Sequence, residues 1–107
     1  MAEEHIPASS IAKLLANFDY FDTAVITISG PTEVNSLIAI PGGRPRLLLK
    51  FRNTGSVDLL IRPSNDHWDQ AWVVAPGGDE STSLSAANEL WFNVSAGSTT
   101  VQLLWGW

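Results

Sequence analysis

Short runs of apolar and β-branched residues alternate with turn-forming residues along most of the chain. Runs of this kind are 23–29, 36–40, 46–52, 57–61, 71–74, 81–84, 90–94 and 99–105. Glycine, proline, asparagine or serine ends most of them, and these turn signals recur roughly every 8–12 residues. The pattern is typical of a domain built from short antiparallel strands, so we predict an all-β domain.

The clearest strand is the run 46–52. Its alternation places one apolar set inward, with the cations and Leu48 on the other side; the inward set is Leu47, Leu49 and Phe51. The turn at 53–56 and the run 57–61 predict a hairpin, and the runs 90–94 and 99–105 predict a closing hairpin. Together these features predict a β-sandwich, jelly-roll or immunoglobulin-like, of about seven or eight strands.

The N-terminal region differs, because its apolar residues recur at helical spacing. These residues are Ile11, Leu14, Leu15 and Phe18. A helix of about ten residues is marginal alone and must dock on another surface. We therefore predict an N-terminal arm with a short amphipathic helix at residues 1–22, followed by the β-sandwich domain at 23–107. The arm packs either on its own domain or on a neighbouring chain.

Charge is unevenly distributed along the chain, whose net charge is −5. Most of its basic residues fall in one segment, at Arg44, Arg46, Lys50, Arg52 and Arg62. One interpretation is a solvated strand face whose charges discourage edge-to-edge aggregation. Another is a basic stripe that meets an acidic patch on a protein partner or a sister subunit. Because no aromatic residue interleaves with these cations, we expect no nucleic-acid partner.

The sequence offers few residues for catalysis or metal binding. It contains no cysteine, which excludes disulfides and thiolate chemistry. Asp66, His67 and Asp69 form the one local cluster of ligand-type residues, and a metal site needs more ligands than this loop supplies. We therefore expect no enzyme activity, no cofactor and no metal. No run approaches the roughly 20 apolar residues of a membrane span, so we expect no membrane partner.

Five tryptophans are the unusual feature of the composition: Trp68, Trp72, Trp91, Trp105 and Trp107. Strand alternation points Trp105 inward and Trp91 outward. Trp68 lies in a polar loop and Trp107 at the C-terminus, where a small core has little room for them. Because tryptophan is enriched at interface hot spots, we expect at least two of the five to line a subunit or partner interface.

The order of three segments along the chain is characteristic. They are Arg46 to Asn53, Val74 to Gly78 and Glu89 to Leu104. This order resembles small virion proteins of tailed bacteriophages, in particular head decoration (cement) and head-fibre-like proteins. The resemblance implies a β-sandwich, often trimeric, that binds the major capsid protein lattice and stiffens the shell. It also implies synthesis in the host cytoplasm and a final location on the virion head surface.

The candidates for the capsid or subunit interface combine the helical stripe, the basic strand and two tryptophans. They are Ile11, Leu14, Leu15, Phe18, Arg46, Lys50, Arg52, Trp91 and Trp107. One alternative is a carbohydrate-binding or host-attachment module, in which an indole stacks on a sugar beside amide and carboxylate groups. Its candidates are Asn65, Asp66, Trp68 and Asp69. A second alternative is an internal structural subunit, for example at a head–tail joint.

Overall fold

The computed structural model describes residues 20–38, 47–85 and 88–107. Its strands are β1 (Phe21–Ile28), β2 (Thr32–Glu33), β3 (Leu47–Asn53), β4 (Leu59–Arg62), β5 (Trp72–Val74), β6 (Asp79–Leu84), β7 (Trp91–Asn93) and β8 (Thr99–Gly106). Single turns of 3-10 helix occupy Val34–Ser36 and Trp68–Gln70. Within the described ranges, no helix has the length and apolar character to cross a bilayer. The predicted helical stripe Ile11–Phe18 and Arg46 lie outside the described residues.

The strands pair antiparallel in two four-stranded sheets. The first sheet has the order β1-β8-β3-β6, and the second has the order β2-β7-β4-β5. The pairs β1·β8, β2·β7, β3·β6 and β4·β5 are nested, so the first strand meets the last and the fourth meets the fifth. The pairs β3·β8 and β4·β7 complete the sheets. The prediction of an all-β domain is confirmed.

Side chains from both sheets form one hydrophobic cluster. The first sheet contributes Ile28, Leu49, Phe51, Leu84, Val101, Leu103 and Trp105, and the second contributes Leu59, Val74 and Phe92. Across the cluster, Phe51 and Phe92 meet with ring centroids 5.0 Å apart and planes tilted by 52°. Alternation along the strands therefore identified inward residues correctly at Leu49, Phe51 and Trp105.

Both predicted hairpins are wrong. β3 pairs with β6 and β8 in the first sheet, whereas β4, the next strand along the chain, pairs with β5 and β7 in the second. β7 and β8 likewise belong to different sheets. The physical reason is burial, because two strands in one hairpin place their apolar residues on the same open face. Strands divided between two sheets can cover each other's apolar faces.

The strand predicted at 36–40 is wrong for the residues that the structure describes. Ser36 ends a 3-10 turn, and the backbone N–H groups of Leu37 and Ile38 donate to the carbonyl of Val34 at 2.9 and 3.2 Å. These local bonds replace the cross-strand bonds that an extended segment would make. The turn buries Val34 and Ile38 in the hydrophobic cluster, which accounts for their apolar character.

Asn53, the last residue of β3, is a buried hydrogen-bond centre between the sheets. Its side chain is 0% exposed. The Nδ2 group donates to the carbonyls of Val57 and Val74 at 2.8 and 2.9 Å. The Oδ1 atom accepts from the backbone N–H of Gly55 at 3.2 Å and from the hydroxyl of Thr99 at 2.6 Å. One amide thus joins the ends of β3, β5 and β8 to the turn after β3.

Candidate functional site

The side of the first sheet that faces away from the core is the first candidate surface. We call it the docking face and define it by Phe21, Val25, Leu48, Lys50, Arg52 and Leu104. Strand alternation puts these residues opposite the buried set of β1, β3 and β8. Val25 is 67% exposed and Phe21 is 54% exposed, so large apolar side chains project into solvent here.

The register of the strands brings cations of β3 next to the apolar residues of the docking face. Gln102 of β8 stands between Val25 on one side and Arg52 on the other. Leu104, two residues further along β8, is aligned with Lys50. The structure therefore places the predicted candidates Lys50 and Arg52 together on one face. The same face carries apolar residues of β1 and β8, which the sequence analysis did not include among the interface candidates.

Trp107 directly follows β8 and lies at one end of the strands of the first sheet. Its ring stacks on that of Tyr20, with centroids 4.5 Å apart and an interplanar angle of 23°. The two backbones exchange hydrogen bonds, Tyr20 N–H to the Trp107 carbonyl at 3.2 Å and Trp107 N–H to the Tyr20 carbonyl at 3.0 Å. The Tyr20 hydroxyl donates to Asp22, and this bond is the main cause that raises the pKa of Tyr20. Trp107 thereby extends the pairing of β1 with β8.

Trp91 lies on the second sheet and is half-buried. Its register partners are Arg62 of β4 and Glu33 of β2. The indole Nε1–H donates to Glu89 at 2.7 Å. Trp91 therefore does not share a surface with Lys50 and Arg52, and the structure divides the predicted interface candidates between two sheets.

The loop between β4 and β5 contains the residues predicted to bind sugars, and its polar groups bond to one another. The Trp68 Nε1–H donates to Oδ1 of Asn65 at 3.0 Å. The hydroxyl of Ser64 donates to Asp66 at 2.5 Å, and the Arg62 guanidinium lies 3.5 Å from the same carboxylate. The Ser64 bond is the largest cause that holds the pKa of Asp66 below its ordinary value. These bonds order the loop.

His67 begins the second 3-10 turn with a φ of 51°, in the left-handed region that residues other than glycine seldom adopt. Gln70 N–H donates to the His67 carbonyl at 2.8 Å and thereby closes the turn. Among the described residues, no group of three or more His, Asp or Glu side chains is arranged to hold a metal ion. Asp69 is exposed on this turn.

A cleft of about 380 Å³ opens beside this loop, where β4 ends and β5 begins. Its apolar lining comes from Ile61, Pro63, Ala71, Trp72 and Leu90, and its polar lining from Arg62, Gln70 and Glu89. Trp72 is 66% exposed and offers the open aromatic surface of the cleft. We call this group of residues the Trp72 cleft.

Sequence reasoning missed Trp72 as a candidate because it lies in a short apolar run, Ala71–Val74, which reads as an ordinary strand. Its register partner Ile61 packs on the core, and Val74 two residues later is buried. Trp72 is exposed because β5 is an edge strand of the second sheet and Trp72 is its first residue. No local signal in the sequence identifies an edge strand.

Comparisons with known proteins add no identification. No family model matches the sequence. No curated protein matches it significantly either. The likeness to phage head decoration proteins therefore stays a prediction from the sequence.

Proposed function

We propose that this protein is a structural, non-catalytic component of a bacteriophage virion that binds the assembled capsid and stabilises it. The observation that best supports this proposal is the docking face, where exposed Phe21 and Val25 of β1 share one sheet face with the cation Lys50 of β3, with β8 between the two strands. Contiguous exposed apolar side chains on a folded domain mark interaction sites. Apolar residues combined with a few charges are typical of surfaces that bind other proteins.

We infer that the two sheets form a jelly-roll sandwich, in preference to an immunoglobulin-like one. The nested pairing of first strand with last, second with seventh, third with sixth and fourth with fifth supports this inference. It is the pairing of a long hairpin rolled into two four-stranded sheets. The shared hydrophobic cluster and the contact of Phe51 with Phe92 support face-to-face packing of the sheets.

The partner surface that fits the docking face combines apolar groups with an acidic group opposite Lys50. The protein as a whole carries a net charge of −5, so the cation Lys50 on this face favours one orientation against an acidic partner. A capsid lattice repeats the same surface many times, so each site can be weak if a trimer engages several at once. We therefore propose the major capsid protein lattice as the partner and a homotrimer as the form that binds it.

Co-sedimentation of the purified full-length chain with mature phage heads that lack it tests this proposal, alongside its mass in solution. The informative variant is Val25→Asp, which puts a carboxylate at the most exposed apolar residue of the docking face. Its match is Val73→Asp, since Val73 is also an exposed valine on an edge strand but belongs to the second sheet.

We expect the wild-type chain and Val73→Asp to co-sediment and Val25→Asp to remain in the supernatant. Both variants should keep the wild-type circular dichroism, because both side chains are exposed. Equal binding by the two variants would remove the docking face from the proposal. No co-sedimentation of the wild-type chain with any head preparation would overturn the proposed function itself.

A further inference from the structure

The Trp72 cleft combines one open aromatic face with a few polar groups, and the docking face does not use it. All its lining residues belong to the second sheet or the loops flanking it, so a chain bound through the first sheet leaves the cleft uncovered. Its volume of about 380 Å³ lies in the range of small-molecule sites, roughly 300–1,000 Å³. The cleft is therefore large enough for one or two sugar rings.

The exposed indole of Trp72 suits the apolar side of a pyranose. The face of an aromatic ring is electron-rich, and the C–H groups on one side of a sugar ring carry small positive charges. Ala71 and Leu90 widen this apolar surface. A flat ring with C–H groups on its face and hydroxyls around its edge matches such a surface.

Polar groups stand at the edge of the cleft, where the hydroxyls of a stacked sugar would lie. Gln70 offers both a donor and an acceptor. Glu89 already accepts the Trp91 indole N–H at 2.7 Å, which orients its carboxylate and leaves other lone pairs for a ligand. The Arg62 Nε–H donates to the Asp66 carbonyl at 3.1 Å, so this side chain is also held in place.

Charge decides which saccharides fit. The Arg62 guanidinium lies 3.5 Å from the Asp66 carboxylate, so an ion pair within the loop already engages its positive charge. The remaining charge in the lining is the negative Glu89. Glu89 would repel a carboxylate or sulfate on the sugar. Arg62, the cation in the lining, is already paired with Asp66 and offsets this repulsion little.

From this arrangement we propose that the Trp72 cleft binds the neutral hexopyranose units of a glycan, with Trp72 as the stacking residue and Gln70 and Glu89 as hydrogen-bonding residues. The site differs from the loop residues Asn65 and Asp66, whose polar groups the structure uses to order the loop. The proposal is independent of capsid binding, since it concerns the other sheet.

Titration of the full-length ¹⁵N-labelled protein with defined trisaccharides tests the proposal. The probes are maltotriose, cellotriose and tri-N-acetylchitotriose as neutral ligands, and trigalacturonate as the anionic comparison. The readout is the set of indole N–H resonances, with that of Trp72 assigned from its loss in Trp72→Phe. We expect at least one neutral probe to shift the Trp72 signal, and the Trp91 signal through Glu89, with a Kd on the order of 1 mM.

Trp72→Ala should weaken that binding at least tenfold. The matched control is Phe21→Ala, which removes another exposed aromatic side chain but from the docking face, and it should leave the affinity unchanged. The proposal is overturned if no neutral probe moves the Trp72 signal at about 20 mM, roughly twenty times the expected Kd. It is also overturned if trigalacturonate binds as well as the neutral probes, or if Trp72→Ala binds like the wild type.

Discussion

The two ends of the strands are connected in different ways. At one end, which we call the short-turn end, the connections are 29–31, 54–58, 75–78 and 94–98. At the other, the long-loop end, the described parts of the connections are 34–38, 63–71, 85 and 88–90, and they include both 3-10 turns. Antiparallel pairing places successive connections at alternate ends, so this division follows from the register.

The short-turn end is closed by buried hydrogen bonds and close backbone contacts. Asn53 bonds to four groups there, which belong to the 54–58 turn, the end of β5 and the start of β8. Gly77 and Gly97 have φ values of +84° and +70°, which lets the chain reverse within a few residues. In the Ala75–Gly78 turn, Gly78 N–H donates to the Ala75 carbonyl at 2.8 Å, and proline followed by glycine at the centre is typical of such a turn.

The long-loop end exposes aromatic and apolar side chains, and local bonds hold its 63–71 loop. Trp72 is 66% exposed, and the bonds of Asp66 and Trp68 join residues only two to four positions apart. Binding residues are often carried by loops that a rigid scaffold positions. The comparison therefore indicates that the short-turn end supplies stability, whereas the long-loop end carries the Trp72 cleft that we propose as a binding site.

The strongest test of this division is Asn53→Ala. The substitution leaves the carbonyls of Val57 and Val74 without their donor in a buried site, so we expect the free energy of unfolding to fall by about 3–4 kcal/mol. Urea denaturation followed by circular dichroism measures the change. Asn88→Ala is the control, because that side chain is exposed and should change stability by less than about 0.5 kcal/mol. A loss below about 1 kcal/mol for Asn53→Ala would contradict the role of the short-turn end.

Gly55→Ala should have the next largest effect. A Cβ atom at this position would overlap the Thr99 hydroxyl and lie 2.7 Å from the backbone nitrogen of Thr100, so the turn must shift away from β8. We expect a loss of about 1–3 kcal/mol. Gly30→Ala is the matched control, since a Cβ there meets nothing within 4 Å and should leave stability unchanged or slightly raised. If both variants unfold at the same urea concentration, the close approach does not constrain the turn.

Much of the first sheet could be predicted from the sequence, and most of its pairing could not. The alternation in the run 46–52 identified Leu49 and Phe51 as core residues because side-chain direction is a local property of a strand. Pairing is not local, since β1 meets β8 and β3 meets β6 across long stretches of chain. The turn residues that predicted hairpins are equally compatible with a crossing between two sheets.

The candidate sites could likewise be predicted only where they depend on local sequence and not on strand pairing. Lys50 and Arg52 could be assigned to one surface because they share one face of one strand. The exposure of Trp72 depends on which strand forms the sheet edge, and the burial of Asn53 depends on partners in two distant segments, at Val74 and Thr99. Asn53 reads as an ordinary turn residue in sequence, whereas in the structure it ends a strand inside the core.

Asn35 provides a comparison with Asn53 from the long-loop end. Its Nδ2 group donates to the carbonyls of Asn88 and Ser85 at 2.7 and 3.3 Å, and its Oδ1 accepts from the Leu90 N–H at 2.9 Å. Because this side chain is only half-buried, water can replace part of these bonds, and we expect Asn35→Ala to cost about 1–2 kcal/mol. Equal losses for Asn35→Ala and Asn53→Ala in urea denaturation would contradict the difference between the two ends.

The smallest expected effect concerns Asp66. Its pKa is held below the ordinary value of 3.8 chiefly by the Ser64 hydroxyl, with smaller contributions from His67 and Arg62. A lowered pKa means that the ionised carboxylate stabilises the folded loop above about pH 3.8, and that this contribution is lost as the pH falls through the folded-state pKa.

NMR titration of the Asp66 carboxyl measures that pKa directly. Ser64→Ala should raise it toward the ordinary value, because the variant removes the bond that favours the charged form. Raising the salt concentration to about 0.5 M should move it less, since salt screens the exposed pair with Arg62 but does not break a hydrogen bond. If salt shifts the pKa more than Ser64→Ala does, the charge of Arg62 and not the Ser64 hydrogen bond is the main cause of the lowered pKa, and local hydrogen bonding is not the basis of the order in this loop.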